Sequence, residues 1–429
     1  RAATGVLNQV LVEFIADQRD SSWLEAEVRQ RFGALPWGDV GEIVKAMKAE
    51  QDVLSSAFVA GVFENDLDIV ARNANLLVPD TMLLSIIRGR LLMEQVVPVR
   101  AEIAAGLQAV IVENSHTTRP DIWTPRQFSI PPQALANEVV IGVWNAGVDV
   151  SLFQTPPTPG IAVDFRDGKR TTDLLYPLGP AVARWPKLKE LAKGYSDNLA
   201  GLDTENARRL REYQNALSPE EISQYQEDVR LVSLYTHGTH VASIAVKGNP
   251  FARVFAATMI QEHRLQPPKP TEDRSLGLAE AYREFVKAFQ QQNVRVVNMS
   301  WALRAEYYER WLAWHGMGKS PEERQQIAQR YFEIERDALH SAMASATEIL
   351  FIAGAGNSAD SADFRETIPA SFRLPNLITV GAVNMAGDET SFSSFGDTVV
   401  VHANGFEVDG LLPGGENTKM SGKIGRAHV

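Results

Sequence analysis

The chain has 429 residues, 45% of them hydrophobic and 8% aromatic, enough for two or three domains and a sizeable core. Its 42 basic and 53 acidic residues leave a formal charge of −11, which argues against a broad nucleic-acid-binding face and against a polybasic membrane anchor. Cysteine is absent, so disulfides, thiolate metal sites and a cysteine nucleophile are excluded while the compartment stays open.

From Arg1 to about Asn114 apolar residues recur at helical spacing, as in Val6, Val10, Phe14 and in Leu24, Val28, Phe32. This predicts an N-terminal helical region, residues 1–116, read as a scaffold or partner-binding cap, with an inhibitory propeptide as the alternative. The apolar run from Thr81 to Val97 is broken by Arg88, Arg90 and Glu94, so no membrane span is expected. Pro120, Pro125, Pro131 and Pro132 then mark a linker, residues 117–138, that cannot be regular helix.

Beyond the linker, short β-branched runs alternate with helical segments, the pattern of a mostly parallel sheet covered by helices. Val139 to Trp144 is the first buried strand, and Asn145 follows it at the carboxyl end, where open α/β sheets place their ligands. A polar stretch at about 167–228 reads as a helical insertion, with an N-cap signal at Ser218-Pro219-Glu220-Glu221. Further strands are expected at Arg253–Ile260, Val294–Met299, Glu348–Ala353, Leu377–Val383 and Thr398–His402. Helices are expected at Val241–Val246, packed closely on the sheet, at Leu276–Gln291 and at Asp337–Thr347, with a second helical insertion at Glu306–Arg330.

Three stretches concentrate the chemistry. Tyr235 to Ser243 holds His237 among Gly238, Ala242 and Ser243, small residues that permit the close approach a proton-transferring imidazole needs. Val296 to Trp301 and Ile352 to Ser358 are apolar runs that end in polar, hydrogen-bonding residues.

These residues resemble the subtilisin-like serine peptidases, the subtilases, over about 139–422. The likeness is carried by VWNAGVD, HGTHVAS, VVNMSW, AGAGNS, FSSFG at Phe392–Gly396 and PGGENTKMSG at Pro413–Gly422, in family order. It implies an α/β fold of the subtilisin-like three-layer sandwich type, a polypeptide substrate and an Asp, His, Ser order of catalytic groups. On that reading His237 is the proton carrier, Asn357 the side-chain donor of the oxyanion hole, and Ser300, Trp301 and Ala302 the edge that pairs with substrate backbone. His240 is structural. Glycine is usual near Ala302, which leaves specificity there open.

Two departures stand out. Asn145 occupies the aspartate position, and its neutral amide cannot stabilise an imidazolium and can hold the wrong tautomer. Asp149, four residues on, matches an aspartate the family motif already has and is not taken as a substitute. The family continues past Gly422 with Thr and the nucleophilic Ser, where this chain reads Lys423-Ile424, and Ser421 is a poor alternative. The nucleophile is therefore absent. Residues 423–429, with IGRAHV, are expected to be a non-native, adapter-derived tail of a truncated reading frame, and Asn145 could be a single-base error.

The expectation is a serine endopeptidase in the complete parent protein, with this chain inactive as it stands. The rival is a pseudopeptidase that binds peptides or scaffolds. No cofactor is expected. The resemblance makes calcium possible without identifying ligands, and favours a secreted or periplasmic location.

Overall fold

A computed structural model of the chain describes residues 2–421, apart from 66, 118, 200, 359, 364, 389 and 391. α-Helices come first: α1 (Ala2–Ala16), α2 (Ser21–Gly33), α3 (Trp37–Val53), α4 (Ser56–Glu64), α5 (Leu67–Asn73), α6 (Asp80–Leu91) and α7 (Arg100–Glu113). Leu24, Val28 and Phe32 of α2 pack with Ile103, Leu107 and Val110 of α7 in a core of their own. The helical spacing in the sequence thus reports a buried stripe. The helical run Met82–Glu113 is long and apolar enough to cross a membrane, and a third of its most apolar window is buried. Length and composition therefore do not exclude a span on the strength of Arg88, Arg90 and Glu94.

Among its described residues the proline-rich segment carries only a short 3₁₀ turn, Thr124–Arg126. After it run β1 (Val139–Asn145), β2 (Gly160–Asp164), β3 (Lys169–Thr171), α8 (Trp185–Leu199), α9 (Glu205–Ala216), α10 (Pro219–Ala245), β4 (Ala252–Ile260) and α11 (Glu272–Gln291). Next come β5 (Val294–Met299), α12 (Ala305–Trp314), α13 (Pro321–Ser345), β6 (Leu350–Gly354), β7 (Leu377–Val383), β8 (Val399–Asn404), β9 (Val408–Leu411) and β10 (Asn417–Met420). Eight strands form one sheet in the order β3, β2, β4, β1, β5, β6, β7, β8, all parallel except the β2–β3 pair.

Alternation along the central strands sorts side chains into two layers. Trp144, Phe255, Ala257 and Met259 face Tyr282, Phe285 and Phe289 of α11. Val143, Val254 and Ala256 face Ala242 of α10 on the other side. This is a three-layer α/β sandwich, as the subtilisin-like resemblance implies, with the helical N-terminal region packed beside it. Phe58 and Val62 of α4 meet Ile222 and Tyr225 of α10, and the Asn65 amide donates to the Pro219 carbonyl at 3.4 Å.

Two boundaries differ from the sequence reading. The insertion does not end near residue 228: the helix capped at Ser218, whose N–H donates to Glu221 Oε2 at 2.9 Å, runs on for 27 residues through His237. Thr236, Gly238 and Thr239 are weak helix formers, so propensity hid the continuation, while close packing of this stretch on the sheet sustains it. Likewise α13, capped by Ser320 Oγ accepting from the Glu323 N–H at 3.2 Å, joins the second insertion to the following helix. β2 and β3 were missed because Pro156, Pro157 and Pro159 precede the first and the second is the short polar run Lys169-Arg170-Thr171.

Candidate active site

Asn145 is the last residue of β1, and alternation turns it away from the Trp144 layer toward α10. His237 lies in the last third of α10. The two meet because Gly238 lets the helix approach the turn after β1: a Cβ there would lie 2.1 Å from the Gly147 carbonyl oxygen. Asn145 Oδ1 stands 2.9 Å from His237 Nδ1 and accepts from the Ala146 N–H at 2.8 Å. Burial, and then the neighbouring His240, push the His237 pKa down to about 4. The imidazole is therefore neutral at physiological pH.

His240 is buried one turn later, with Nε2 3.1 Å from the Val408 carbonyl oxygen. Ser243 Oγ donates to the His240 carbonyl at 2.7 Å and accepts the Leu411 N–H at 2.8 Å. These contacts fix the β9–β10 hairpin on α10. Asp149 is occupied elsewhere: Oδ1 accepts from the Ser151 hydroxyl at 2.6 Å and Oδ2 from the Gly414 N–H at 2.9 Å. Ser421 is buried, its Oγ accepting the Glu407 N–H at 3.0 Å. Residues 422–429, which include the expected tail, lie outside the described residues.

The other sequence candidates sit on the same sheet edge. In the parallel register Trp144 is opposite Met299 of β5, and Met299 is opposite Ala353 of β6. Ser300, Trp301 and Ala302 thus leave the carboxyl end of β5, which pairs with β1, and Asn357 follows that of β6, the next strand along. Two strand spacings separate β1 from β6, about 10 Å. Ser300 Oγ donates to Asn298 Oδ1 at 3.0 Å. The Trp301 ring lies parallel to that of Tyr282, centroids 5.9 Å apart.

The loop bearing half-buried Asn357 is held by residues to which the sequence reading gave no role. The Ser394 N–H donates to the Gly356 carbonyl at 2.8 Å, and Ser394 Oγ accepts the Ser358 N–H at 3.2 Å. Ser394 also donates to Asp360 Oδ1 at 3.1 Å, and buried Arg304 grips both Asp360 oxygens at 2.8 and 3.1 Å. Arg304 follows the Ser300–Ala302 edge, so this chain of contacts ties one loop to the other. FSSFG was the only local signal; the Arg304–Asp360 pair spans 56 positions and had none. Among the described residues no group of three or more His, Asp and Glu is placed to hold a metal ion, and no step is assigned to calcium.

The model of the Subtilase family of peptidases matches residues 137–426, more than half of the chain. The chain belongs to the subtilase family. A subtilisin-like protease of Coccidioides posadasii (strain C735) is 35% identical over 114 residues, 26% of this subtilase and 28% of that protein. Similar solved structures include a cold adapted subtilisin-like serine proteinase, at 17% identity and TM-score 0.35, covering 70% of this subtilase and 77% of that chain. Another is the PatG macrocyclase in complex with peptide, at 15% identity and TM-score 0.39, covering 72% and 79%.

Proposed function

We propose that the complete protein is a serine endopeptidase in which His237 Nε2 takes the proton of a serine nucleophile and returns it to the leaving amine. Asn145 stands in the orienting position and Asn357 donates to the oxyanion, a group whose hydrogen bond strengthens as charge appears on the substrate oxygen. Ser300, Trp301 and Ala302 present the edge along which substrate backbone lies. The observation that carries this reading is the 2.9 Å approach of Asn145 Oδ1 to His237 Nδ1 at the carboxyl edge of the sheet. An oxygen at Nδ1 keeps the proton there and leaves Nε2 as the base.

The chain of 429 residues has Lys423 and Ile424 where the family has threonine and the nucleophile, so we infer that it does not itself turn over peptides. A second reading, a pseudopeptidase that only binds peptides, draws on the neutral side chain of Asn145 and the lowered pKa of His237. The test is labelling by a serine-reactive phosphonate of the protein completed from its uninterrupted gene, with and without Asn145→Asp. Labelling in either form supports the peptidase, and its absence from both supports the binder.

A further inference from the structure

On the face of the sheet opposite His237, beyond the ends of β4 and β5, a partly open cavity of about 120 Å³ lies between α11, α12 and the loop after β4, with Glu335 of α13 in its wall. It approaches the roughly 150 Å³ of engineered cavities that take up a small aromatic molecule, and so has room for one side chain. Trp301 and Ala302 form part of its wall, which places it against the edge assigned above to the substrate backbone.

The cavity is polar in a specific way. Arg274, in the first turn of α11, donates through Nη2 to the Phe165 carbonyl at 2.7 Å, and its guanidinium lies 5.4 Å from the Trp311 ring centroid. Its Nε and Nη1 are shielded from solvent and donate to no other described residue. Glu335, fully buried, accepts from the Tyr282 hydroxyl at 3.0 Å and from the Tyr308 hydroxyl. Burial raises its pKa, and the neighbouring Arg274 opposes that rise. Arg230, Arg264, Arg310 and Glu262 also line the cavity, and Arg264 stands 3.7 Å from Glu227.

We propose that this cavity receives an acidic side chain, aspartate or glutamate, of a bound peptide, and that Arg274 is the residue that selects it. The proposal rests on the peptidase reading. A carboxylate supplies the acceptor oxygens that the two buried N–H groups of Arg274 lack. A neutral side chain of the same shape gives a weaker, uncharged hydrogen bond, and an apolar one leaves the donors unmet.

The test uses the 429-residue chain itself and end-blocked, fluorescein-labelled hexapeptides that differ only in carrying glutamate or glutamine, the variable residue being moved through the sequence. Fluorescence anisotropy is expected to show, at one position, about tenfold or tighter binding of the glutamate peptide. Arg274→Met should abolish that difference, weakening the glutamate peptide far more than the glutamine one. Glu335→Gln, which removes the opposing carboxyl, should widen it. Equal binding of the two peptides at every position overturns the proposal and leaves the peptidase reading standing. Failure of every peptide to bind removes that reading, and the proposal with it. A preference that survives in a folded Arg274→Met chain also overturns the proposal, and if that variant does not fold, an unchanged preference in Glu335→Gln does the same.

Discussion

Asn145 presents its oxygen, and not its amide nitrogen, to His237. The Ala146 N–H, 2.8 Å from the same Oδ1, dictates this orientation, because the reversed amide would set two donors against each other. The amide therefore favours a proton on Nδ1 and leaves Nε2 as the acceptor, where the sequence left both tautomers open. What it lacks is charge: Nδ2 is buried with no partner among the described residues, and nothing there offsets an imidazolium.

Asn145→Asp supplies that charge. A carboxylate within hydrogen-bond distance should raise the His237 pKa by about 1–3 units from its present value near 4. An NMR titration of the imidazole carbon-bound protons reads this directly. A titration midpoint that stays near 4 would show that burial alone governs the ring.

Stability should depend on pH through both histidines of α10. Each has a folded pKa of about 4, below its ordinary 6.5, so the unfolded chain binds more protons between those values. The stabilisation is complete above about pH 6.5 and is lost as pH falls toward 4, by up to about 3 kcal/mol per histidine. Urea unfolding at pH 7 and pH 4.5 measures the loss. His240→Gln should flatten the slope by roughly half, and an unchanged slope would assign the effect to other groups.

Two helical glycines should respond in opposite directions to alanine. At Gly277 of α11 a Cβ meets nothing within 4 Å, so Gly277→Ala should stabilise by about 0.5–1 kcal/mol. At Gly238 the new Cβ would lie 2.1 Å from a backbone oxygen that cannot yield cheaply, so Gly238→Ala should destabilise by about 2 kcal/mol or more. Thermal melts of the pair decide this, and similar shifts in both variants would mean that α10 is not tightly seated.

Breaking the Arg304–Asp360 pair should cost more than a surface ion pair does. Arg304 is 5% exposed, so Asp360→Ala leaves a buried guanidinium without its counter-ion, at about 3–5 kcal/mol. Hydrogen exchange should then quicken in the segment around Asn357 before it does in β6. Uniform exchange along both would show that the pair does not brace the loop.

Much of the sandwich was readable because period-2 and period-3.6 patterns report burial directly: β5, β7 and the apolar face of α11 were found that way. The limits of α10 and α13 were not readable. Their continuity depends on contacts such as Gly238 against Gly147, distant in sequence, which outweigh weak local propensity. The candidate site divides along the same line. His237, Asn145 and Asn357 lie in short stretches with recognisable neighbours. Arg274, Glu335, Arg304 and Asp360 acquire meaning only through partners that folding brings to them.

The length of α10 has a mechanical consequence. Ile222, wedged against the N-terminal helices, and His237 are fifteen positions apart on one rod, about 22 Å at 1.5 Å per residue. Between them Leu231, Val232 and Leu234 are buried as well, so the contact with the N-terminal helices and the placing of the imidazole fall to one continuously packed element.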